Sequence, residues 1–132
     1  SITVAALARG RELGLKPLSV AVLDAGGHLL AFQREDGAST LRPQIATAKA
    51  SGALALGVSS RKIGEMAADR PTFVASLAPI SQHGVVPAAG GVLVLGVDGL
   101  AVGAVGITGD TSDNDEACAL AGIAAAGLTS QN

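Results

Sequence analysis

Lys49 is the residue of this chain that most directly suggests chemistry. It is the only charged residue between Pro43 and Val58, in a run of small, apolar and short polar residues, QIATAKASGALALG. Burying a lone ammonium is costly, so this lysine must either reach solvent or meet an anion. Lys49 is therefore a candidate to bind the carboxylate of a ligand.

A histidine next to a glycine pair is the second candidate. His28 directly follows Gly26 and Gly27 in the sequence DAGGH. The two glycines would let a flat ligand approach the backbone, and an imidazole can bind metal, hydrogen-bond or transfer a proton. A histidine that simply faces solvent at the start of a strand is an equally good interpretation.

Two further polar turns complete the candidate site. Asp36, in the turn sequence EDG, would ordinarily cap its own backbone, but a charge partner such as Lys49 would make it a general base. The segment 106–113 precedes a helix, where free amide groups can bind a carboxylate. The predicted ligand-binding residues are His28, Gly26, Gly27, Asp36, Lys49, Gly106, Thr108, Gly109 and Asp113, and the candidate catalytic residues are Lys49, Asp36 and His28.

Several other chemistries find no support in the sequence. Two histidines and the single cysteine, Cys118, occupy unrelated positions, so they do not form a structural zinc site. The acidic residues at 110–116 depart from the spacing of a calcium loop, and helix capping explains them more simply. Neither a phosphate-binding loop nor a nucleophile elbow occurs. No metal site is therefore predicted from these patterns.

Hydrophobic periodicity predicts the elements that position these residues. A helix is expected over 3–13, a hairpin over 18–34 with its turn at 25–27, and a long helix within 39–57. A short helix over 62–68 is capped by Ser59 or Ser60, and 71–90 is mostly loop with a helical turn near 73–77. The dipeptide Asp98-Gly99 predicts a second hairpin over 92–107, and a last helix begins with Asp113 as its N-cap.

Composition limits the class of protein. The 132 residues suit one domain, spanning 1–132, and 48% of them are hydrophobic while only 15% are charged. A net charge of -2 and two aromatic residues argue against nucleic acid, and no apolar run could span a membrane. The charge-free helix at 117–128 and the segment 52–56 should instead contact copies of this chain, as a homo-oligomer. The expected location is cytoplasmic, with secretion after removal of a signal peptide left open.

The segments VAVLDAGGHLLAFQREDGA, ATAKASGALALG, GGVLVL and VDGLAVGAVGITGDTSDNDEACALAG resemble the GlcG/HbpS family. This family includes secreted haem-binding proteins and the C-terminal domain of some PduO-type corrinoid adenosyltransferases. The resemblance implies an α+β, profilin-like fold, a five-stranded antiparallel sheet with flanking helices. It also implies assembly into homo-oligomers and makes haem or a corrinoid a candidate cofactor, with His28 as the haem ligand.

Three hypotheses about function follow. The first is a protein that binds a small anionic ligand, such as haem or another carboxylate-bearing tetrapyrrole. The second is an enzyme on a small organic acid, with Lys49 and Asp36 as anion anchor and general base and His28 as acid or base. The third is a non-catalytic oligomeric accessory protein. Because Lys49 is expected to be a poorly paired, partly buried ammonium, Lys49→Met should leave stability unchanged or raise it.

Overall fold

One antiparallel sheet of five strands organises the chain, in the order β2-β1-β4-β3-β5. The computed structural model describes residues 1–132. The strands are β1 (Ser19–Asp24), β2 (Leu29–Arg34), β3 (Gly91–Leu95), β4 (Ala101–Thr108) and β5 (Thr129–Gln131). The helices are α1 (Ile2–Glu12), α2 (Arg42–Leu56), α3 (Ser60–Asp69), α4 (Pro71–Ala75) and α5 (Ser112–Ala125), with a 3₁₀ turn at Ala78–Ile80. This is the predicted α+β arrangement.

Both predicted hairpins are present. β1 pairs with β2 on one side and with β4 on the other, so the first strand is interior, as its apolar sequence indicates. Gly27 and Gly99 have φ angles of 83° and 81°, values that favour glycine over a residue with a Cβ. The turns of the two hairpins therefore form where the sequence placed them.

Helices cover the two faces of the sheet unequally. On one face, α1 and α5 enclose the larger core cluster, which includes Val20, Val105 and Ile107. On the other face, α2 packs on the sheet through Ala50 and Ala53. Pro43 lies in the first turn of α2 and Gly57, with a φ of 72°, ends it, so proline and glycine define this helix as predicted.

Glycines let α2 approach the sheet unusually closely. A Cβ added at Gly106 would overlap the carbonyl oxygen of Ala46, and one added at Gly91 would overlap the carbonyl of Lys49. The helix backbone therefore rests directly on β3 and β4. Gly106, predicted to bind ligand, lies beneath this helix.

The C-terminal region differs from the sequence prediction in three respects. The N-cap of α5 is Thr111, whose hydroxyl accepts a hydrogen bond from the backbone N–H of Asn114, so the assignment of Asp113 was wrong. Strand β5 was missed by periodicity because it has only three residues, all polar. Helix α1 also packs against α5, where a Cβ on Gly122 would meet the carbonyl of Ile2. Part of the α5 surface expected to face another subunit is thus covered within the chain.

The edge strand β2 is exposed along its whole length. Leu29 and Leu30 are 55% and 66% exposed, and Phe32 is 37% exposed. No helix of the structure is long and apolar enough to cross a membrane. This edge of the sheet therefore carries exposed apolar side chains.

Candidate ligand site

The ammonium of Lys49 meets a carboxylate inside the protein. Its Nζ lies 3.2 Å from Oδ2 of Asp115 and donates to the carbonyl oxygen of Ile107 at 3.0 Å. The other oxygen of Asp115 accepts the backbone N–H of Asp110 at 2.9 Å. The two side chains of the pair are 3% and 1% exposed, so this anion, and not solvent, neutralises the lysine.

Burial sets the electrostatics of this pair. Loss of hydration lowers the pKa of Lys49 and raises the pKa of Asp115, and their mutual attraction opposes both changes. The same burial raises the pKa of the neighbouring Cys118 thiol to about 11. The ion pair links α2 to the first turn of α5, which gives Lys49 a structural role.

His28 is held by an aspartate at the β1–β2 turn. Its Nδ1 lies 3.2 Å from Oδ1 of Asp24, and the same oxygen accepts the backbone N–H groups of Gly26 and His28, each at 2.9 Å. These hydrogen bonds, the one from the His28 backbone foremost, lower the pKa of Asp24. A Cβ on Gly26 would lie 2.9 Å from the imidazole, so a larger residue there would make the exposed ring shift. The carboxylate therefore contacts Nδ1, and Nε2 forms no hydrogen bond within the protein.

Asp36 and Asp113 lie away from Lys49 in separate surroundings. Asp36 is exposed in the turn after β2, where it lines a cavity of about 430 Å³ with Leu15 and Pro17, and it forms no ion pair. Asp113 is exposed at the start of α5 and pairs with Arg61, which also binds Glu116 with Nε 3.0 Å from Oε2. The two acids raise the pKa of Arg61. Neither aspartate therefore contacts the lysine.

Arg42 lies beside the end of β4, near Thr108 and Gly109. It was not singled out from the sequence. Its Nη1 donates to Oγ1 of Thr108 at 2.9 Å and its Nε donates to Oγ of Ser39 at 3.2 Å. Arg42 and Gly109 line a cavity of about 190 Å³. As the first residue of a helix, Arg42 gave no sequence signal, because its neighbours come from the distant strand β4.

A groove along α2 was also missed. Thr47 and Ser51, one helical turn apart, line two adjacent cavities of about 260 and 180 Å³. His83 borders the first cavity, and Gln82 borders the second together with the turn at 25–27. The groove is therefore bounded by the β1–β2 turn at one end and His83 at the other.

The predicted site residues divide between two ends of the sheet. β1 and β4 are antiparallel, with Asp24 opposite Gly103 and Ser19 opposite Thr108. Steps of about 3.3 Å per residue put about 16 Å between the two ends of this ladder. The turn that carries His28 is at one end and the segment 106–113 is at the other, so one chain does not bring them together.

Comparison with known proteins identifies the family of this chain and supports the fold described above. The sequence matches the family described as haem degrading protein HbpS-like over residues 1–124. The chain therefore belongs to the HbpS-like family. No curated protein matches its sequence.

Three solved structures illustrate the relationship. A PduOC–haem complex is 25% identical with a TM-score of 0.87, and the match covers 99% of this chain and 93% of that one. A double mutant of HbpS from Streptomyces reticuli is 30% identical with a TM-score of 0.79, covering 94% and 80% of the two chains. The protein ORFY from Klebsiella pneumoniae is 26% identical with a TM-score of 0.79, covering 92% and 81%.

Proposed function

We propose that this protein binds haem and that Nε2 of His28 would hold its iron. The observation that carries the proposal is the pair formed by Asp24 and His28, 3.2 Å apart. Histidines that bind metal commonly donate their other ring N–H to a carboxylate, which fixes the tautomer and makes the free nitrogen more basic. The His28 side chain is 72% exposed, so an incoming iron can reach it.

The surface next to His28 suits a flat apolar ring. Leu29 and Leu30 follow it along β2 and are more than half exposed, and because successive strand residues face opposite sides, a ring would cover one of them. Covering such side chains with a tetrapyrrole removes apolar area from water, a gain of about 25 cal/mol per Å². The turn sequence DAGGHLL contains no lysine or arginine, so the haem carboxylates would point to solvent.

Relatives of the chain support haem over other ligands. The family description names haem, and the PduOC structure is a haem complex. These facts concern other proteins, 25% identical in the case of PduOC. The corrinoid alternative is tested by titrating a cobalamin beside hemin.

Hemin titration of the purified protein tests the proposal. The wild type should give a shifted Soret band that saturates at a fixed ratio, and His28→Ala should abolish it. Asp24→Asn, which keeps the acceptor oxygen for the turn amides but removes the charge, should weaken binding about 10–100-fold. His83→Ala is the matched control, because His83 is the only other histidine.

The result with His83→Ala separates two arrangements. If it binds hemin as the wild type does while His28→Ala does not, the iron is bound at the β1–β2 turn. If only His83→Ala lost the Soret band, the haem would be bound in the α2 groove, and His28 would not be the iron ligand. Equal binding by both variants would contradict axial ligation by either histidine.

A further inference from the structure

A row of hydrogen-bonding side chains crosses three strands at the end of the sheet opposite His28. Ser19 is directly opposite Arg34 on β2 and Thr108 on β4. Residues opposite each other in antiparallel strands project from the same face. Gly106, two residues before Thr108, contacts α2, so this row lies on the α2 face.

Two guanidinium groups lie in or beside this row, the exposed Arg34 and the partly buried Arg42, and neither meets a carboxylate. Arg42 donates to the hydroxyls of Thr108 and Ser39, and Arg34 donates to the carbonyl oxygen of Ala38. Neither arginine forms an ion pair, whereas Lys49, close enough for Arg42 to lower its pKa, has Asp115. A partly buried cation with only neutral acceptors is incompletely compensated.

None of the acids in the neighbouring segments forms an ion pair with Arg42. Asp110 accepts the backbone N–H of Lys16 at 3.0 Å and Nδ2 of Asn114 at 2.8 Å, and these contacts, that from Asn114 first, lower its pKa to about 2. Glu35 accepts the backbone N–H of Leu18 at 2.8 Å and lies 3.7 Å from Arg11. Asp36 is exposed and forms no ion pair. The positive charge of Arg42 therefore has no carboxylate directed at it.

A buried hydroxyl in the same row lacks a partner. Ser19 is fully buried, and its Oγ is the only buried side-chain oxygen or nitrogen without a hydrogen bond. Buried polar groups nearly always have a partner from protein or solvent. Ser19 does not itself line the cavity beside Arg42, so its hydroxyl is not a contact for a ligand there. Its cross-strand neighbour Thr108 is the residue that binds Arg42.

The cavity beside Arg42 has room for a small molecule. Its volume is about 190 Å³, below the range of about 300–1,000 Å³ typical of drug-sized ligands, so a tetrapyrrole would not fit. Lys16 adds a second cation to its wall. The cavity is lined by Lys16, Pro17, Gly37, Ala38, Ser39, Arg42 and Gly109.

We propose that this cavity binds a small oxyanion, a short-chain carboxylate or a phosphate, with Arg42 as its main ligand and Lys16 as the second charge. The planar fork of arginine matches two oxygens of either group. The site is distinct from the turn that carries His28, so its occupation does not depend on haem.

Amide chemical-shift mapping on the full chain tests this proposal. Lactate and inorganic phosphate are titrated separately into the wild type, and the expected result is saturable shifts confined to the amides of 16, 37–39, 42 and 108–110. The more tightly bound of the two anions then distinguishes carboxylate from phosphate. Binding of neither at tens of millimolar, or shifts that do not saturate, would overturn the proposal.

Variants test the assigned residues. Arg42→Gln should weaken binding about tenfold or more, since a charged hydrogen bond is lost, and Lys16→Gln, at an exposed position, should weaken it about threefold. Arg9→Gln, an exposed arginine on α1, is the matched control and should bind as the wild type does. If Arg42→Gln fails to fold, Lys16→Gln decides the question. Unchanged binding in both cavity variants would place the anion elsewhere.

Discussion

At the level of single residues, the buried pair of Lys49 and Asp115 connects the two helical layers through the sheet. Each charge loses most of its hydration, and each recovers part of this loss from the other and from one backbone group. Removing one partner leaves the other charge buried without compensation. The sequence analysis identified no partner for Lys49 and predicted that Lys49→Met would not lower stability. The contact with Asp115 predicts the opposite.

Lys49→Met should therefore lower the free energy of unfolding by about 3–5 kcal/mol, because Asp115 would be left uncompensated. Urea denaturation measures this change. Lys62→Met, an exposed lysine on α3, should stay within about 0.5 kcal/mol of the wild type.

The double variant Lys49→Met with Asp115→Leu provides the complementary test. Replacing both charges with apolar side chains should recover most of the lost stability, since buried pairs often exchange for apolar residues at little cost. If Lys49→Met is as stable as Lys62→Met, the lysine is not a structural partner, and a ligand role for its charge becomes the better explanation.

At the level of elements, local patterns predicted the fold well. Alternation and turn dipeptides located both hairpins, and Ser59 caps α3 with its side chain as expected. The pairing of β1 with β4 brings together residues 79 to 89 positions apart, and no local pattern encodes it. That pairing separates His28 from Thr108.

The same limit explains which parts of the candidate site were missed. Arg42 gains its partner Thr108 only through the docking of α2 on β4. Asp115 was interpreted as part of a helix start, and its burial against Lys49 depends on how α5 meets the sheet. By contrast, the Asp24–His28 contact spans only four residues and lies within the motif DAGGH, in which the sequence analysis identified His28 but not its partner Asp24.

Gly106→Ala tests the close contact between α2 and β4. The added Cβ would overlap the carbonyl of Ala46, so the helix must move and stability should fall by about 3 kcal/mol, the upper part of the usual cost of overpacking. Thermal and urea unfolding measure the loss. Gly52→Ala, on α2 itself, is the control, because its Cβ would meet no atom nearer than 3.4 Å. Equal stability of the two variants would contradict this packing.

At the level of the whole molecule, the edge strand β2 carries three exposed large apolar side chains, while others such as Val97 and Leu100 lie in the turn between β3 and β4. An edge strand with free backbone groups and leucine side chains readily pairs with another chain. Helix α5 offers less apolar surface than its sequence suggests, because α1 covers part of it. We therefore expect association between copies of this chain through β2 more than through α5.

Light scattering after size exclusion checks this association. The wild type should elute as a particle larger than the 12.8 kDa chain, and Leu30→Glu should shift it toward the monomer. Ala124→Glu, an exposed position on α5, should have the smaller effect. If only Ala124→Glu dissociated the particle, the interface would lie on α5 and not on β2. A monomeric wild type would contradict association through either element.

A structure of the hemin-loaded protein is the most direct test of the central claim, that His28 binds the iron of a haem. We predict that the iron is bonded to Nε2 of His28, that Nδ1 remains paired with Asp24, and that the porphyrin covers Leu29 or Leu30. An iron bonded to His83, or to no histidine of this chain, would contradict the account.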